Sequence, residues 1–265
     1  MIPNIFHFIF GLRKDFGDKP FNLCHYLAIE SAFKVNNPTK IYFHCAYKPE
    51  GEWFEKIESR VEVVFVTPPI SIFGNALYHV AHQTDVLRLE ILKQYGGIYL
   101  DIDTICVKPF TDLLDHDCVL GQQLGPDYKN IQGLCNAVIL ARPESEFINL
   151  WYETYKDFRS KPKKYYTPEG GGDNYDFWDE HSVYIPQHLS KKYEKKIHIT
   201  NYDSFHYPIW DVKGIKMLFE DTHTFNAAYC HHLWESATWN YLNNLTIDYI
   251  KTVNTTYNKI ARKFL

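Results

Sequence analysis

The sequence predicts an α/β protein with a Rossmann-like, mainly parallel sheet flanked by helices. Three features carry that expectation. Apolar strand-like runs alternate with helix-like segments through the first half. Glycine, proline and asparagine punctuate their ends. An apolar strand then runs directly into two aspartates, Asp101 and Asp103. A strand–helix alternation gives a parallel sheet covered on both faces.

The elements follow in order. Ile2 to Phe10 reads as a strand ended by Gly11, and Phe21 to Val35 as a helix stopped near Asn36-Asn37-Pro38. Lys40 to Cys45 is a strand, Glu52 to Ser59 a short helix, and Val61 to Thr67 a third strand before Pro68-Pro69. Asn75 to Tyr95 reads as a long helix closed by Gly96-Gly97, and Ile98 to Leu100 as the next strand. The second half is less regular. Val119 to Leu120 and Ala137 to Leu140 read as strands, Ser145 to Phe158 as a helix and Ile197 to Thr200 as a strand. Lys161 to Asp179, with Gly170-Gly171-Gly172, reads as a loop or flap; it lacks the lysine and spacing of a phosphate loop. Leu242 to Phe264 reads as a closing helix. Its Lys251, Lys259, Arg262 and Lys263 admit contact with a membrane surface, although packing on the domain with solvated charges is favoured. The expected organisation is one catalytic domain over 1–240, with a first half over 1–110 and a second over 111–240. A helical extension over 241–265 follows.

Bulk properties narrow the function classes. A net charge of −4 lacks the basic excess of a nucleic-acid binder. No apolar run reaches the roughly 20 residues of a membrane span. The apolar start has no basic flank or cleavage site, so it reads as a strand and not a leader. The six cysteines are scattered without a Cys-x-x-Cys pair, which fits a reduced, cytoplasmic setting. The aromatic content of 17% suits sugar or base recognition, and equally an aromatic-rich core.

Gly96-Gly97-Ile98-Tyr99-Leu100-Asp101-Ile102-Asp103 is the most informative segment. Carboxylates at i and i+2 of a strand point to one side and can fan around one hard divalent cation such as Mn²⁺ or Mg²⁺. A cation there neutralises negative charge on a departing diphosphate. Two aspartates can also simply end a strand. The preceding helix adds Asp85 and Arg88, three residues apart on one face. Alone they would be a surface ion pair of little worth; beside the aspartate pair they become candidate groups for sugar hydroxyls and phosphate.

These residues carry a resemblance. His82-Gln83-Thr84-Asp85-Val86-Leu87-Arg88-Leu89, then Leu92, then Gly96 through Asp103, is similar to the DXD sugar-binding glycosyltransferase family. That family includes fungal α-1,6-mannosyltransferases and animal α-1,4-galactosyltransferases, with the glucosylating domain of large clostridial toxins as a distant relative. Four shorter segments resemble it in the right order: Ile2 to His7, Asn136 to Ala141, Phe205-His206-Tyr207-Pro208-Ile209-Trp210 and His232-Leu233-Trp234-Glu235. The resemblance spans Ile2 to about Trp239.

The family implies a type-A glycosyltransferase fold, a nucleotide-sugar donor (a UDP-sugar), Mn²⁺ or Mg²⁺, and retention of anomeric configuration. The acceptor would be a glycan, a lipid-linked sugar or a protein. Residue by residue it implies metal and diphosphate binding by Asp101 and Asp103, donor-sugar contacts from Asp85 and Arg88, Asn136 beside the reacting carbon, and His232 as a late metal or diphosphate ligand. One departure concerns the acceptor. The family's Gly-Pro pair before the Phe-Tyr-Pro segment is replaced by Asp179-Glu180-His181-Ser182-Val183. The membrane anchor of the Golgi members is also missing, which leads to the expectation of a bacterial, viral or otherwise cytoplasmic enzyme.

Other candidates were weighed. His7, Phe8 and Phe10 at the end of the first strand either border the nucleotide base or pack in the core. Of the adjacent His231 and His232, an extended backbone lets only one reach a metal. Ser236, Thr238 and Trp239 either close over the diphosphate or finish the domain. His79, His82 and Asp85 sit too far apart around a helix for a three-ligand site. Two other functional classes remain beside the transferase: a nucleotide-sugar hydrolase on the same site, and a non-catalytic carbohydrate-binding protein.

Overall fold

The structure is a computed structural model that describes residues 1–159 and 177–265. A seven-stranded sheet forms its centre, built from β1 (Ile5–Ile9), β2 (Lys40–Cys45), β3 (Glu62–Phe65), β6 (Gly97–Leu100), β8 (Cys118–Leu124), β9 (Ile131–Ala141) and β10 (His198–Thr200). The order is β10-β8-β9-β6-β1-β2-β3. Only β9 runs against the others; it pairs antiparallel with both β6 and β8. Two small pairs lie apart from the sheet: β4 (Ser71–Ile72) with β5 (Asn75–Ala76), and β7 (Thr104–Cys106) with β11 (Cys230–His232).

Both faces of the sheet are buried, and the strands show it residue by residue. Phe6, Phe8, Ile41, Phe43, Ile98, Leu100, Val138 and Leu140 pack to one side, with α1 (Leu23–Asn36) and α2 (Glu52–Glu58). Tyr99, Leu120, Ile139 and Ala141 pack to the other, with α3 (Val80–Tyr95), α4 (Glu146–Glu153) and α5 (Ile185–Lys192). Alternation along each strand supplies one apolar set per face. A third cluster joins α1 to α6 (Val212–Phe219), α7 (Glu235–Leu242), α8 (Ile247–Thr252) and α9 (Thr256–Ala261).

The strand order creates the place for a site. The chain builds outward through β1, β2 and β3, then returns on the other side of β1 as β6. Where the winding reverses, the carboxyl ends of β1 and β6 leave a crevice between their loops, which is where open α/β sheets bind ligands. Gly97 secures the entry into β6, at the opposite end of that strand from the crevice. It takes φ +105°, and a Cβ there would stand 2.5 Å from the Ile5 carbonyl oxygen. No other residue fits so close to β1.

Several expected boundaries move, each for a visible reason. The long helix begins at Val80 and not Asn75, because the His79 side chain accepts the Ala81 N–H as a cap and Asn75 is tied to the Tyr155 carbonyl. The Ser145 to Phe158 helix is α4 followed by a 3₁₀ turn over Thr154–Asp157. β8 and β9 extend well beyond their apolar centres. Their polar ends satisfy each other, as when Gln123 donates to Gln132 at 2.8 Å. The closing helix is in fact α8, α9 and a final 3₁₀ turn (Arg262–Phe264), broken where Thr255 caps a new helix. Arg262 turns back onto the Ile250 and Val253 carbonyls. Gly170-Gly171-Gly172 lies outside the described residues. Among the described residues no helix is long and apolar enough to cross a membrane.

His7 is a core residue. It is fully buried, its Nε2–H donates to the Gly96 carbonyl at 2.8 Å, and its Nδ1 accepts from His44 at 3.1 Å. The ring is locked under the turn at Gly96, and His7 is not among the residues that line the cavity holding Asp101 and Asp103. Burial lowers His7 to about 4 and His44 to about 3, and it lowers His231, whose Nδ1–H donates to the Tyr207 carbonyl, to about 4. The unfolded chain takes up these protons near 6.5 and the folded chain resists them. Stability is therefore intact above about 6.5 and falls as the pH drops through about 4, each ring adding a slope of up to about 1.4 kcal/mol per pH unit. Thermal unfolding across that window should show a steadily falling midpoint, less steep in a His44→Gln variant. A flat midpoint over the same range would contradict it.

Candidate functional site

β6 ends at Leu100, so Asp101 and Asp103 sit in the turn that joins it to β7, not on the strand itself. The Asp101 N–H donates to the Ala137 carbonyl of β9 at 2.8 Å, which pins the turn to the sheet. The antiparallel pairing of β7 with β11 sets His232 opposite Thr104. The Leu233 N–H reaches the Asp103 carbonyl at 2.8 Å, and the Glu235 N–H reaches Asp103 Oδ2 at 2.6 Å. His232 Nε2 comes to 3.4 Å from Asp103 Oδ2 and 4.0 Å from Asp101 Oδ2. His231, on the other face of the strand, points to the Tyr207 carbonyl.

A second layer surrounds Arg88. Its Nη1 donates to the Asn136 carbonyl at 2.7 Å and lies 3.2 Å from Asp101 Oδ1. Its Nη2 lies 3.3 Å from Asp85 Oδ1, and its guanidinium stacks over Tyr99 at 4.6 Å. Asn136 Nδ2 donates to Asp85 Oδ1 at 2.7 Å, and Tyr99 Oη donates to Asp101 Oδ1 at 2.6 Å. The i,i+3 pair is thus buried and networked, not a surface ion pair. Arg88 spends its N–H groups on protein acceptors, so it holds carboxylates in place.

The electrostatics follow from crowding like charges under cover. Burial raises the Asp101 carboxyl above its ordinary range, and Arg88 opposes that rise. Burial acts the same way on Asp103, but the His232 imidazolium and the Glu235 N–H prevail and draw it down to about 2. Burial alone would depress His232; the Asp103 carboxylate instead holds it well above its usual value.

Asp85, Arg88, Asp101, Asp103, Asn136 and His232 all line one cavity of about 550 Å³ at the switch point. That size suits a small-molecule site. The ligand atoms of Asp101, Asp103 and His232 lie within 4.8 Å of one another. Two carboxylates and one imidazole form a donor set that fits Mn²⁺ or Mg²⁺. Ser236 also lines the cavity, whereas Thr238 is buried and donates to the Leu233 carbonyl. Trp178, Trp210 and Trp234 line it too, with Gln123, Gln132 and Asp179. Trp210 and Trp234 fall within the segments that resemble the family, and Asp179 opens the segment that departs from it. Trp178, Gln123 and Gln132 carry no local signal, and only the fold brings them to the cavity.

The fold and this cluster define a type-A glycosyltransferase domain. A sequence profile described as a glycosyltransferase sugar-binding region containing a DXD motif matches residues 25–120. The chain is 34% identical to glucan organizing enzyme 1 of Cryptococcus neoformans var. grubii over 277 aligned residues, covering 100% of this chain and 71% of that protein. It belongs to the DXD-containing glycosyltransferase family. Mouse xyloside xylosyltransferase 1 shares the fold with a TM-score of 0.52 at 11% identity, covering 88% of this chain and 98% of that one. The Streptococcus pneumoniae glycosyltransferase GlyE does so with a TM-score of 0.50 at 12% identity, covering 99% of this chain and 60% of that one.

Removing Arg88 would leave Asp85 and Asp101 buried without a counter-charge. Arg88→Ala should cost about 3–5 kcal/mol in urea unfolding. An Arg88→Ala/Asp85→Asn double variant should recover part of that loss. An unchanged midpoint in the single variant would show that the network carries no such burden.

Proposed function

We propose that the chain is a retaining glycosyltransferase that moves a hexose or N-acetylhexosamine from a UDP-sugar to a hydroxyl acceptor, with Mn²⁺ (or Mg²⁺) held by Asp101, Asp103 and His232. The observation that carries the reading is the meeting of a late histidine with the two motif aspartates in the wall of a cavity on the switch point. Residues 1–110 would form the donor half and 111–240 the acceptor side. When bound, the cation supplies positive charge against the diphosphate as the sugar–oxygen bond breaks.

The side chains divide the remaining work. Asp85 lines the cavity with its orientation fixed by Asn136 and Arg88, so it can accept hydrogen bonds from donor-sugar hydroxyls without reorganising. Asn136 stands between Asp85 and the aspartate turn, beside the expected position of the reacting carbon. Arg88 acts through its carboxylate partners as a positioning residue. No nucleophile stands out for a covalent intermediate, so the acceptor hydroxyl would attack on the face the diphosphate leaves. The new bond forms as the old one breaks, through an oxocarbenium-like state. Trp210 and Trp234 offer flat apolar walls for acceptor sugar rings, which favours a glycan over a lipid-linked or protein acceptor.

A panel of nucleotide-sugars, screened by thermal shift with and without Mn²⁺, should single out a UDP-sugar whose stabilisation needs the metal. Asp101→Asn and Asp103→Asn should each lower transfer by about 10²–10³-fold with unfolding curves kept. Full transfer by either variant with Mn²⁺ present would refute the assignment. Donor cleavage that no acceptor accelerates would instead identify a hydrolase. Binding without turnover across the panel would identify a carbohydrate-binding protein.

A further inference from the structure

His206 is an anomaly within the fold. It is 1% exposed, and among the described residues neither ring nitrogen has a hydrogen-bond partner. Buried polar atoms almost always find partners, so two orphans on one ring point to a group that completes them. Beside it stands the free thiol of Cys135, which faces the cavity. His232 is the third member. Its Nε2 faces Asp103, and the Cys135 side chain lies within hydrogen-bond reach of its ring. Ligand atoms of Cys135, His206 and His232 lie within 4.8 Å of one another.

The backbone makes room for this trio. Gly121 pairs with Cys135 across β8 and β9, beside a register shift between Leu120 and Gly121. A Cβ at Gly121 would stand 2.6 Å from the Phe205 ring and 3.2 Å from His206 Nε2. The bulge and the missing side chain together let His206 lie over the strand, next to the sulfur.

We propose that Cys135, His206 and His232 form a second metal site, selective for a thiophilic divalent ion such as Zn²⁺. One sulfur and two imidazoles suit zinc and cobalt, whereas the carboxylate-rich neighbour suits harder cations. On binding, the Cys135 thiol releases its proton to solvent and the sulfur ligates as thiolate. The two clusters thus sort cations by softness while sharing the His232 ring.

The test uses Co²⁺ as the probe, added to the full chain after chelator treatment, with no donor or acceptor present. It therefore reads this site independently of the transfer reaction. Wild type should develop a near-ultraviolet sulfur-to-cobalt charge-transfer band that saturates at one equivalent. Cys135→Ser and His206→Gln should each lose the band, while Asp101→Asn keeps it. Circular dichroism identifies any variant that fails to fold, and the other variant then decides. No band in wild type, or a band surviving in folded Cys135→Ser, overturns the proposal.

Discussion

The site depends on one buried guanidinium. Arg88 is almost wholly enclosed, and two of the carboxylates that line the cavity, Asp85 and Asp101, lie within ion-pair reach of it. Like charges held together away from water repel strongly and tend to neutralise by taking up protons. Arg88 beside Asp101, and His232 beside Asp103, counter that tendency. The arginine also fixes the Asn136 carbonyl, so the helix, the aspartate turn and β9 share one anchor. Geometry at the cavity floor follows from satisfying this charge.

The sheet supplies the rest of the constraint. β9 alone runs against the other strands, and it carries Asn136 and Cys135 past the end of β6. The strained backbone of Trp234, at φ +57°, lies two residues beyond His232 and leads into α7. A non-glycine residue in that region carries a cost that the surrounding structure must absorb. Here the Trp234 Nε1–H donates to the Pro208 carbonyl and helps hold the ring at the cavity rim.

The sequence was legible where chemistry and secondary structure share a local signal. Asp101 and Asp103 end an apolar strand, and Asp85 and Arg88 share one helix face, so spacing alone placed them side by side. His232 rested on resemblance, since nothing in its own segment tells which of two adjacent histidines faces inward; the β7–β11 register does that. His7 stayed ambiguous in the sequence because the end of a first strand looks the same whether its side chains meet a ligand or a neighbouring turn. Trp178, Gln123 and Gln132 carry no signal for a similar reason, being gathered from distant segments by tertiary packing. Helix ends failed where capping side chains such as His79 and Thr255 override apolar periodicity.

The pairing of β11 with β7 also sets an order of assembly. Both aspartates leave the ribosome with the first half of the chain, while the strand bearing His232 arrives near its end. A nascent chain can thus complete its central sheet before Asp101, Asp103 and His232 meet. A product terminated upstream of β11 would carry the DXD signature without that histidine.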